Sequence, residues 1–180
     1  WRLAIINKNM PDIFKLISDK KSLKPFSAAQ FHSWNASKVL AHNDIKVVKV
    51  GTFKGLYQML DKNRVDYLPR SILEVEKDIK RYPKLNLMVD PHLLIKYPSV
   101  SYFYVNKNET ALAKTIQDGL EQAIKDGSFD RIFNQAFAKV IKQYKLKNRT
   151  VITLENPFYI HSEELDRKEF WAEHWLNTIE

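Results

Sequence analysis

The stretch from Lys46 to Arg70 constrains the fold most. It opens with the β-branched run Lys46-Val47-Val48-Lys49-Val50 and breaks at Gly51. A helical segment follows, with Leu56, Tyr57 and Leu60, joined by Phe53, at the spacing of one helical face. Asn63 supplies a C-terminal stop, and Val65-Asp66-Tyr67-Leu68 reads as a second strand. A strand, a helix and a strand, joined by a crossover of this length, predict a parallel pair in an α/β sheet.

A chain of 180 residues with 44% apolar content can build one or two domains around a real core. Charged residues make up 28% and Gly numbers only 4, which argues against disorder and against a linker-rich chain. No apolar run approaches the roughly 18 residues that a membrane-spanning helix needs. The sequence opens at Trp1-Arg2-Leu3-Ala4, with neither an initiator Met nor a signal-peptide pattern. That start reads as internal, either a mature end or one lacking an upstream part. The absence of Cys excludes disulfides, thiolate metal sites and cysteine nucleophiles. A net charge of +8 suits an acidic partner such as nucleic acid or an anionic surface. The charges are scattered, however, and no phosphate loop, aromatic RNA motif or zinc-finger spacing accompanies them, so a lysine-rich surface explains the balance.

Along the chain, Arg2–Asn7 reads as a buried strand, and Pro11 opens a helix whose apolar face is Ile13, Phe14, Leu16 and Ile17. Ala28–Phe31 is the next short strand, His32-Ser33-Trp34 a loop, and Asn35 the cap of a helix over Ala36–His42 that Asn43 ends. A helix is expected over Ser71–Arg81, a strand over Leu85–Val89, a connector from Pro91 to Pro98 and a strand over Ser101–Val105. Thr110–Lys125 carries the stripe Leu112, Ile116, Leu120 and Ile124. Gly127 stops it, and a second helix follows with Ile132, Phe133, Phe137, Val140 and Ile141 inward. Asp126-Gly127 forces a tight corner where only Gly takes positive φ cheaply. In the tail, Val151–Leu154 reads as a strand and Glu169–Ile179 as a helix.

Three phrases carry a family resemblance. They are Ser22-Leu23-Lys24, then Met59-Leu60 with Asn63-Arg64-Val65-Asp66-Tyr67, and Phe103-Tyr104-Val105-Asn106-Lys107 with Leu112-Ala113, Gly119-Leu120, Asp126-Gly127-Ser128-Phe129 and Ile132-Phe133. Over residues 1 to 140 the chain resembles the second lobe and C-terminal part of type II periplasmic substrate-binding proteins, the family of the amino-acid receptors of ABC transporters. The resemblance implies a three-layer α/β lobe with a mainly parallel sheet. It implies a crossover strand at 1–8, lobe two at 9–100, and a return hinge strand with the C-terminal helices of lobe one and a tail at 101–180. The strands Arg2–Asn7 and Ser101–Val105 are then expected side by side as a hinge, and the N-terminal half of lobe one is not in this sequence. The implied function is non-catalytic capture of a small polar solute outside the cytoplasm of a bacterium, with a membrane permease or a sensor as partner, no nucleic acid and no cofactor. Arg70 and Ser71 turn that expectation toward an anionic or neutral polar solute.

Ligands of open α/β sheets bind beyond the carboxyl ends of strands. Here those ends offer Ser33, Trp34 and Asn35, then Thr52, then Arg70 and Ser71. Trp34 can stack on a ligand or simply pack, and Thr52 can cap a helix. Amino-acid receptors of the family carry an Asp for the ammonium group at the position of Ser71. A hydroxyl cannot replace that charge, so ordinary α-amino acids are expected to bind poorly. Arg70 suits a carboxylate or phosphate, although its spacing from Glu74 also fits a surface ion pair. An enzymatic alternative has little material. His161, Glu164, Asp166 and His174 match no metal-binding spacing, and the neighbours His32 and Ser33 lack a third catalytic partner. The sequons at Asn35, Asn108 and Asn148 matter only in a eukaryotic secretory path.

Overall fold

The computed structural model describes residues 1–159 and 163–171. Its strands are β1 (Arg2–Asn7), β2 (Ser27–Phe31), β3 (Lys46–Val50), β4 (Leu68–Ser71), β5 (Leu87–Lys96) and β6 (Thr150–Thr153). Its helices are α1 (Lys20–Leu23), α2 (Ala36–His42), α3 (Phe53–Asp61), α4 (Val75–Arg81), α5 (Thr110–Lys125) and α6 (Ser128–Gln143). The sheet runs β4-β1-β5-β6, and a parallel bridge from Ala28 to Tyr67 attaches the parallel pair β2-β3 beside β4.

The expected α/β lobe is present, and β1 is its pivot. It runs antiparallel to both β4 and β5, so the sheet is mixed, with parallel pairing at β2-β3 and β5-β6. Side-chain alternation sends Leu3 and Ile5 to one face, against Leu56, Tyr57 and Leu60 of α3. Ala4 and Ile6 go to the other face, against Val39 and Leu40 of α2 and Phe14. Two cores on two faces make three layers. Asp19 and Ser22 close a reciprocal capping box on α1, and Gly127 takes a left-handed conformation (φ 74°) between α5 and α6.

Several expected boundaries move. Arg2–Asn7 is not paired with residues 101–105, which form no strand and are largely exposed. The hinge pair expected from the resemblance is therefore absent, because β1 already has a strand on each edge. Residues 11–16 are turns, without a helix. The strand expected at Val65–Leu68 is displaced to β4, because Asp66 accepts hydrogen bonds from the Ser27 N–H and hydroxyl and is held outside the ladder. Ser71 consequently ends a strand, and the helix expected from it begins at Val75. β5 continues through Pro91 where a connector was expected, by bulging. Asp90 Oδ2 accepts from the N–H of His92 and Leu93, while the buried Arg149 guanidinium donates to the carbonyls of Asp90 and Leu93. Burial pushes the Asp90 carboxyl above its ordinary range.

After α6 the chain returns to the lobe. β6 lies beside β5, and the Asn43 side chain both donates to the Glu155 carbonyl and accepts from its N–H. The expected tail helix falls mostly outside the described residues; Lys168–Phe170 is a single 3-10 turn. No described helix is long and apolar enough to cross a membrane.

Candidate functional site

The bridge at Tyr67 makes β2 and β4 parallel, so their carboxyl ends meet at one edge of the lobe, beside the amino end of the antiparallel β1. A cavity of about 810 Å³ opens there. Of the residues picked out by sequence, Ser33, Trp34, Asn35, Arg70 and Ser71 all line it. Thr52 does not. Its hydroxyl caps α3 by accepting from the Gly55 N–H at 3.1 Å, and a Cβ at Gly55 would stand 2.7 Å from that oxygen. The Thr52 cap and the glycine are one device.

Arg70 is the best-held side chain in the cavity wall. Its guanidinium carbon lies 4.5 Å from the Trp34 ring centroid and 5.6 Å from that of Phe53. Nε donates to Asp78 Oδ2 at 2.5 Å, and Nη2 lies 3.3 Å from Glu74 Oε2. The surface pair with Glu74 therefore exists, but the stronger partner is Asp78, which is buried along with Arg70. The Tyr57 phenol sits beside this pair, and burial, reinforced by the Asp78 charge, pushes its pKa upward. Asn35 makes no side-chain cap to α2, which leaves its amide for the cavity.

Sequence reasoning missed five polar residues of the wall: Arg2, Gln30, Lys77, Asp78 and Arg81. Arg81 lies over the Phe53 ring, 5.6 Å from its centroid. Only Gln30 left a signal, as the one long polar side chain in a strand otherwise buried. The cations Arg2, Arg70, Lys77 and Arg81 outnumber the carboxylates Glu74 and Asp78 by four to two. Two carboxylates, Glu74 and Asp78, thus stand in the same wall as Ser71, and the hydroxyl at Ser71 alone does not exclude α-amino acids.

The other chemistry considered stays dispersed. His32 contacts Phe31 rather than the cavity, His161 and His174 lie outside the described residues, and among the described residues no three His, Asp or Glu side chains converge as metal ligands.

This layout can be set beside solved structures. An ancestral arginine-binding protein bound to glutamine matches at TM-score 0.50 and 20% identity, over 76% of this chain and 59% of its own. The fold is that of the type II periplasmic binding proteins. A Bacillus subtilis protein matches at 23% identity and TM-score 0.49, over 77% of this chain and 55% of its own. The L-cystine solute receptor of Neisseria gonorrhoeae, in its unliganded open form, matches at 16% and 0.46, over 76% and 55%. The chain therefore spans little more than half the length of these type II structures. No family model matches the sequence, and no curated protein does.

Proposed function

We propose that this chain is the larger part of a non-catalytic solute-binding protein working outside the cytoplasm with a membrane permease or a sensor. Residues 2–100 together with β6 form the lobe that carries one wall of the cleft, and the α5–α6 hairpin reaches out toward a second lobe. The observation that carries this reading is the Arg70 side chain, held over the Trp34 ring and beside Phe53 where parallel strands end in a cavity of ligand size. The excess of cations in that wall favours a solute with an anionic group. Since Glu74 and Asp78 share the wall, α-amino acids belong to the class, and the neighbour bound to glutamine supports a solute of that size.

A thermal-shift screen of the chain against α-amino acids and small carboxylates tests this. A solute at 100 times its Kd raises stability by about 2.7 kcal/mol. The variant to pair with the screen is Arg81→Ala, because Arg81 faces the cavity without being tied into the buried Asp78 pair. Loss of a charge-assisted hydrogen bond weakens binding by about 1.5–3 kcal/mol. A screen in which no solute shifts the transition, or an Arg81→Ala variant with unchanged affinity for its best anionic solute, removes the corresponding part of the reading.

A further inference from the structure

Gln30 stands out among the residues of the cavity wall. It is fully buried, and neither its amide nitrogen nor its amide oxygen has a hydrogen-bond partner among the described residues. A buried amide with both ends unanswered is costly, and folded proteins rarely keep one without a use. Its position explains the use. Alternation along β2 places Ala28 in the core beneath α2 and Ala29 in the core beneath α3, so Gln30 leans to the α2 side of the sheet. Arg70, which shares a sheet face with Leu3 through their register, leans to the α3 side. The crest of the sheet therefore presents guanidinium chemistry on one flank and a carboxamide on the other.

We propose that Gln30 reads the solute. Its side-chain amide pairs with a group that offers one donor and one acceptor side by side, as a primary carboxamide does, and so selects carboxamide-bearing solutes over the corresponding acids. The broad terminal torsion of Gln lets the amide turn toward the cavity it borders. An acid ionised at neutral pH has two acceptors and no donor, and it leaves the Gln30 oxygen unanswered. The inference deepens the solute-binding reading and rests on it.

The test is an NMR titration of the nitrogen-15-labelled chain with L-glutamine, L-asparagine, L-glutamate and L-aspartate. The Gln30 side-chain amide signal is assigned by its disappearance in Gln30→Met. The amides are expected to move that signal together with the backbone signals of Ser33 to Asn35 and Arg70. They should bind at least about tenfold more tightly than their acids, a preference that Gln30→Met abolishes while the melting temperature of the ligand-free variant holds or rises. Shifts at Ser33 to Asn35 and Arg70 with a stationary Gln30 signal, or a preference that survives in Gln30→Met, overturn the role of Gln30 and leave solute binding standing. No shift with any of the four removes the amino-acid reading and this inference together. A large fall in the melting temperature of Gln30→Met with unchanged affinity marks Gln30 as structural only.

Discussion

Strand β1 and helix α5 are both rich in apolar side chains, yet they end in opposite situations. Every residue of β1 from Leu3 to Ile6 is fully buried, with a strand on each edge and a core on each face. Helix α5 buries none of its residues, although its stripe from Leu112 to Ile124 is regular. Its neighbourhood repeats the contrast. Phe103 is 72% exposed, Tyr104 88% and Ile132 on α6 65%. Helix α6 meets the lobe through Phe133, Phe137 and Ile141, and α5 lies beyond it. Periodicity thus reports that a face is suited to cover, and the tertiary surroundings decide whether cover is supplied.

The widest separation between the two regions is expected at the buried pair. Arg70→Ala leaves Asp78 as an uncompensated buried charge and should cost about 3–5 kcal/mol in chemical denaturation. That loss would be read wrongly as a binding effect if stability were not measured alongside. Leu60→Ala, which empties the packing between α3 and the sheet, should cost about 2–5 kcal/mol by the same measurement. A value under about 1 kcal/mol would mean that the lobe core is far less tightly packed than β1 suggests. Thr52→Ala removes the α3 cap and should cost about 1 kcal/mol, seen as an early loss of helix in thermal circular dichroism. At the other extreme, Leu112→Ser on α5 should change stability by less than about 0.5 kcal/mol. A drop of several kcal/mol there would show that the α5 face is covered in solution, and analytical ultracentrifugation would then reveal the associated species.

These differences also mark how far the sequence could be read. The strand and helix at β3 and α3 were legible because Val47–Val50 is rich in β-branched residues and Leu56, Tyr57 and Leu60 keep helical spacing. However, β2 lies between β3 and β4, so the expected parallel pair is not a direct one. The corner at Gly127 was legible because positive φ narrows the choice of residue. The pivot role of β1 was not, since a run of apolar residues does not say which strands flank it. The shift from Val65–Leu68 to Leu68–Ser71 depends on Asp66 reaching Ser27, a partner 39 residues away. The cavity was legible on the side written as strand ends, at Ser33 to Asn35 and Arg70. Asp78 and Arg81 escaped notice because they lie on α4, away from the strand ends in sequence, and reach the cavity only once that helix is packed.

The return of the chain through β6 has a topological consequence. β5 and β6 are adjacent and parallel, so whatever joins them must travel the full length of a strand and come back, a path that takes a dozen residues or more. The α5–α6 hairpin fills that path. It is at once the outlying part of the molecule and the connector on which the order of its sheet depends. The apolar stripe of α5 can therefore be rewritten residue by residue, but the hairpin cannot be cut out and its ends joined directly without forcing β6 to reverse direction or leave the sheet.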